Sequence, residues 1–185
     1  MADPIELDPV DSLGAGAIGQ PGQRTFLIQA AKSHARLTVL VEKEQVALLA
    51  TEAVAFLERI AEEFPEDPIE IGPELRQAAS VQEPAVPLFR ARLIGLGFEP
   101  EREMVLIELR EHSDDDDEEE EAEEADGPLN GDDDDGFVAR IYATRAQVRA
   151  MAARAVESVT AGGRPRCPLC EQPMDPQGHR CPRWN

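Results

Sequence analysis

Between residues 111 and 135 the chain carries sixteen aspartates or glutamates and no lysine or arginine. Carboxylates at that density cannot be taken out of water without partners. The run therefore reads as a solvated insert that interrupts a fold built from the residues on either side. It lacks the alternating spacing of a calcium-binding loop. Setting it aside changes the character of the protein. The formal net charge is −20 over 185 residues, but outside the insert 22 acids face 18 bases. What remains is a mildly acidic chain of a length that suits one domain with extras.

Several classes are excluded by the same reading. Apolar runs stay well short of the ~18 residues of a membrane-spanning helix. The opening MADPIELDPVDS has neither a basic stretch nor an apolar one, so no secretory signal is expected. The three cysteines all fall between 167 and 181 and make no disulfide framework. A cytoplasmic location is the expectation.

Punctuation and periodicity divide the rest. Residues 1–23, with four glycines and two Asp-Pro steps, read as a Gly/Pro-rich N-terminal segment without regular structure. Residues 24–31 and 35–41 alternate apolar and polar, predicting a hairpin around Lys32-Ser33-His34. Val46, Leu49, Ala50, Ala53, Leu57, Ile60, Ala61 and Phe64 recur at helical spacing from about Glu44 to Phe64, and Pro65 closes that helix. Residues 65–87 contain five prolines and read as a connector. Strands are predicted over 88–98, 104–110 and 137–142, and a second helix after Thr144, where Thr144 and Gln147 match a capping box. This helix should end near Gly162-Gly163.

The fold class expected is α+β: an antiparallel sheet of about five strands with two helices on one face. Residues 24–162 would form this body and 163–185 a separate tail. An offset of 102 residues aligns Val46 with Val148, Leu49 with Met151, Ala53 with Ala155 and Val39 with Ile141. That alignment suggests a repeated ββα unit, although any two amphipathic helices share such spacing.

The tail, GRPRCPLCEQPMDPQGHRCPRWN, carries the most specific chemistry. Cys167 and Cys170 form a C-x2-C pair, and His179 with Cys181 follows as H-x-C. Two thiolates from one tight turn and two donors from a second saturate the four positions of zinc. Asp175-Pro176-Gln177-Gly178 supplies turn chemistry that would bring the second pair back. Iron–sulfur ligation wants four cysteines, and haem attachment wants His directly after the second Cys, where Glu171 stands. With no position left open, a Cys3His zinc knuckle would be structural.

Other signals are weaker. Gly14-Ala15-Gly16-Ala17-Ile18-Gly19 spells G-x-G-x-x-G, but the flanking Asp-Pro-Val-Asp-Ser and Gln-Pro-Gly-Gln do not predict the strand and helix of a dinucleotide site. Arg24, Arg90 and Arg92 project from predicted strands and are the candidate contacts for an anionic ligand, the reading under which the chain would be an enzyme or a ligand-binding domain. Arg164, Arg166, Arg180, Arg183 and Trp184 decorate the tail and are candidates for a partner surface, or for nucleic acid, which the overall charge opposes. His34 and His112 are isolated, and no nucleophile–base pair is recognisable. The reading best supported is a non-enzymatic interaction or regulatory module that binds another cytosolic protein.

The segments GQPGQRTFLIQA (19–30), VEKEQVALLA (41–50), EPAVPLFRARL (83–93) and GRPRCPLCEQPMDPQGHRCPR (163–183) resemble the actinobacterial family catalogued as domain of unknown function 3090. The resemblance spans nearly the whole chain and assigns Cys167, Cys170, His179 and Cys181 to the family's Cys/His tail. It implies no activity. Many members carry glycine directly after the second cysteine, where this chain has Glu171.

Overall fold

Alternation and capping produce the elements they predict. The computed structural model describes residues 4–20, 22–66, 70–111, 136–161, 167–172, 174 and 180–183. Strands β3 (Thr25–Lys32) and β4 (Ala35–Val41) form the first hairpin, turned at Ser33 with φ 54°. The chain then enters α1 (Lys43–Glu63), where Gln45 closes a capping box by accepting from the Glu42 backbone N–H at 2.8 Å. Strands β5 (Phe89–Glu99) and β6 (Met104–Glu111) form the next hairpin, followed by β7 (Val138–Thr144) and α3 (Arg145–Ala161). The second capping box is present as expected: Gln147 N–H donates to Thr144 Oγ1 at 3.2 Å, and Thr144 N–H donates to Gln147 Oε1 at 2.9 Å.

Three expectations are corrected. The N-terminal segment is not loop: it holds β1 (Ile5–Leu7) and β2 (Ser12–Ile18). The connector contains a short helix, α2 (Pro73–Ala78), with proline in its first turn and no buried residue. The sheet has seven strands rather than about five, in the order β1-β7-β6-β5-β4-β3-β2, and it is mixed rather than antiparallel. Two of its pairings are parallel, β1 with β7 and β4 with β5. Both strand pairings unite segments remote in sequence, which periodicity cannot register.

The two ends of the strand order meet. β1 and β2 stand at opposite ends of the sheet yet are separated by only Asp8 to Asp11. Val10 N–H donates to the Tyr142 carbonyl of β7 at 2.9 Å, and the next residue, Asp11, donates to the Ala31 carbonyl of β3 at 2.8 Å. One stretch of chain thus sutures both edges of the sheet.

The repeat exists in a larger form than ββα. Each half is a three-strand meander followed by a helix: β1/β2-β3-β4-α1 and β5-β6-β7-α3. In each half the first strand begins parallel to the last strand of the other half, Leu7 opposite Ile141 and Phe89 opposite Val39. It continues antiparallel to its own neighbour, β2 along β3 and β5 along β6. Helices α1 and α3 start 102 residues apart, as the alignment expected.

One core serves both halves. Ile28, Val39, Val105, Ile107, Leu109 and Ile141 from the strands are fully buried with Val46, Ala53, Val148 and Met151 from the helices. The acidic insert lies outside the described residues from 112 to 135. Its flanks are joined, since Glu111 N–H donates to the Phe137 carbonyl at 2.9 Å.

Candidate metal centre

A tight turn presents the first two cysteines. Glu171 N–H donates to the Cys167 carbonyl at 2.8 Å, and Cys167 N–H donates to the Gln172 carbonyl at 2.9 Å. The reversal needs a left-handed residue, and Glu171 supplies it with φ 62°. That conformation costs a non-glycine residue roughly 1 kcal/mol. The position is the one where the family resemblance expects glycine, and here Glu171 makes the turn at that cost.

The second arm returns beside the first. Arg183 Nη1 donates to the Leu169 carbonyl at 3.1 Å, clasping the two arms together. Cys167 and Cys181 are buried, 5 % and 9 % exposed, and their sulfurs lie 3.8 Å apart. The sulfurs of Cys167, Cys170 and Cys181 all fall within 4.8 Å of one another. A disulfide brings sulfurs to about 2.05 Å. Thiolates sharing a tetrahedral ion with bonds of about 2.3 Å stand about 3.8 Å apart. The geometry matches the second case, so the three cysteines could hold a metal ion. Loss of hydration pushes the Cys170 thiol up, with the two neighbouring thiols adding to it and the Gln172 backbone N–H opposing. His179, the fourth ligand expected from the sequence, lies outside the described residues, as do Arg164, Arg166 and Trp184. Arg180 is exposed.

The arginines considered for an anionic ligand are placed as follows. Arg24 Nη1 donates to the Ser158 carbonyl of α3 at 3.2 Å. Arg90 pairs with Glu42 at the start of α1. Arg92 occupies an irregularity of β5 and lines a cavity with α1. Arg90 and Arg92 thus both lie at the start of β5, while the guanidinium of Arg24 goes to α3.

Sequence reasoning missed a buried cation. Arg145, 3 % exposed, donates from Nη1 to the Phe64 carbonyl at 2.6 Å and stacks its guanidinium 4.8 Å over the Phe98 ring. Its Nε stands 3.7 Å from Glu66, which also lies 3.6 Å from Arg149. Arg145 therefore joins the end of α1 to the beginning of α3. One signal was available: a cation in the first turn of a helix opposes the dipole and needs a compensating partner.

Among the described residues no helix is long and apolar enough to cross a membrane. A model of the family described as protein of unknown function (DUF3090) matches residues 5–181. No curated protein and no solved structure matches the chain.

Proposed function

Since the chain belongs to the DUF3090 family, whose description assigns no activity, its role has to come from its own geometry, and we propose that it is a cytoplasmic, non-enzymatic protein-interaction module whose C-terminal tail is organised by structural zinc. Cys167, Cys170 and Cys181, with His179 from the same tail, would hold the ion. The observation that carries this reading is the 3.8 Å spacing of the Cys167 and Cys181 sulfurs, with the third thiol inside the same 4.8 Å. Bound there, zinc supplies cross-linking: four protein donors leave no place for water or substrate. The tail has few apolar residues of its own, so folding it requires such a link. Exposed Leu48 and Leu93 on the body support an interaction role. The net charge of −20 opposes a polyanionic partner and favours a protein one.

Native mass spectrometry of the full chain, with elemental analysis, tests this. One zinc per chain and a co-purifying protein are expected, with Cys170→Ser losing the metal while the helical circular-dichroism signal stays. Metal-free protein under reducing conditions would remove the zinc claim, and a retained small molecule instead of a protein would move the reading towards ligand binding.

A further inference from the structure

The three sulfurs of the tail differ in a way that a purely structural metal role does not use. Cys167 and Cys181 are 5 % and 9 % exposed, with their sulfurs 3.8 Å apart. Cys170 lies within 4.8 Å of both, yet it is only partly buried. Its neighbour Leu169 is 50 % exposed, so the tip of the turn faces solvent and carries Cys170 with it. The backbone around the sheltered pair is held by other groups. Cys167 N–H donates to the Gln172 carbonyl at 2.9 Å, and Arg183 Nη1 donates to the Leu169 carbonyl at 3.1 Å. One accessible sulfur thus stands beside two sheltered ones on a clasp that it does not itself make.

We infer that Cys170 is a site of oxidation by hydrogen peroxide, and that the cluster ends as a Cys167–Cys181 disulfide with Cys170 restored as a thiol. The inference rests on the zinc reading for its starting state. Zinc, when bound, keeps the sulfurs as thiolates, the nucleophilic form, against the crowding that raises the bare Cys170 thiol. Peroxide meets the solvent-facing sulfur first. Cys170 Sγ attacks one peroxide oxygen: the S–O bond forms, the O–O bond breaks and hydroxide leaves, giving a sulfenic acid. A neighbouring thiolate then attacks the same sulfur, the S–S bond forms, the S–O bond breaks and a second hydroxide leaves. Two thiolates have given up two electrons, and the two peroxide oxygens have taken them.

The third thiolate exchanges with this first disulfide and expels Cys170. Exchange comes to rest at Cys167 and Cys181 for two reasons. The clasp already holds those sulfurs 3.8 Å apart, a short rotation from the ~2.05 Å of a disulfide. They are also the pair that a further thiol reaches least, being the more buried. Two donors of the metal are consumed in this way, so the ion is released while the new bond keeps the two arms joined.

Elemental analysis of the full chain under reducing conditions comes first and tests the zinc reading by itself. One equivalent of hydrogen peroxide is then added, with 4-(2-pyridylazo)resorcinol reporting released zinc and iodoacetamide blocking the remaining thiols. One zinc should leave per disulfide formed, and free thiols should fall from three to one, with the alkyl group on Cys170. Trypsin separates 167–180 from 181–183, and without reductant these two peptides should stay joined through Cys167. Dimedone present during oxidation should label Cys170 and lower the disulfide yield at least tenfold. Dithiothreitol with added zinc should restore the starting state. A disulfide confined to 167–180, a disulfide between two chains, dimedone on Cys167 or Cys181, or three free thiols after peroxide each overturns the inference. Metal-free protein at the outset removes the zinc reading, and the peptide map alone then decides the oxidation site.

Discussion

Strands β2 and β5 hold the same station in the two halves of the sheet, yet α3 packs close on the first and a cavity separates α1 from the second. Their side chains explain the difference. β2 reads SLGAGAI, so small residues let neighbouring elements come close: a Cβ on Gly14 would stand 2.7 Å from the Ala79 carbonyl oxygen, and one on Gly16 would stand 2.9 Å from Ser158 Oγ. β5 reads FRARLIGLGFE, and its bulky Leu93, Ile94 and Leu96 line a cavity with Leu48 and Leu49 of α1. Its glycines face no such crowding, with the nearest atom 3.6 Å from a Cβ on Gly97. A duplicated architecture thus packs its two helices differently through the size of a few side chains.

The largest test of this contrast compares leucines. Leu13→Ala should cost ~2–5 kcal/mol, since it empties a fully buried site, whereas Leu48→Ala, at an exposed position, should stay within ~0.5 kcal/mol; chemical denaturation reads both. Equal losses would show that the β5 side is as closed as the β2 side. Glycine substitutions come next. Gly14→Ala should cost ~1–3 kcal/mol because the obstacle is backbone, and Gly16→Ala less, because the Ser158 side chain can turn aside. Gly97→Ala should instead stabilise by ~0.5–1 kcal/mol, as expected for a strand glycine with room for a methyl group.

The smallest effect concerns the suture. The Arg102 guanidinium holds the Asp8 carboxyl below the usual carboxylate range, and Asp8 sits in the β1–β2 joint that the unbroken β5 lacks. A lowered folded-state value means stability present above the unfolded value of about 3.9 and lost as pH falls through the folded one. Asp8→Asn should therefore melt slightly below wild type at pH 7, with the gap closing as pH falls below the unfolded carboxylate's ordinary value. Glu108 follows the same sign: it too is held low, with Arg140 and Arg110 outweighing the burial that opposes them. A gap that persists in acid would assign the effect of Asp8→Asn to something other than the ion pair.

Much of the fold was legible because it is local. The alternation in 25–32, 35–41 and 104–111, the helical stripe from Val46 to Ile60 and the Thr144/Gln147 capping box each carry their signal within a few residues. The thiol cluster was legible for the same reason, in the spacing of Cys167, Cys170 and Cys181. β2 was hidden because Gly-Ala-Gly-Ala has no β-branched or aromatic residue to mark a strand. Its G-x-G-x-x-G pattern serves close packing rather than a flexible loop. α2 offered Pro73 after Gly72 as a start signal, but six residues with none buried leave no periodic stripe to read.

The sequence by itself determined which segments are strands with an apolar face, which are helices, that an uncompensated acidic run separates two of the strands, and which three sulfurs gather. Tertiary structure alone decided that β1 and β2 suture opposite edges, that two parallel pairings link the halves, that Arg145 is buried between α1 and α3, and that β5 pairs with β4 only at Phe89 and Arg90. The reason is physical. Periodicity records only which side of an element is apolar, whereas edge pairing and helix stand-off depend on the volumes of residues that the chain brings together from far apart.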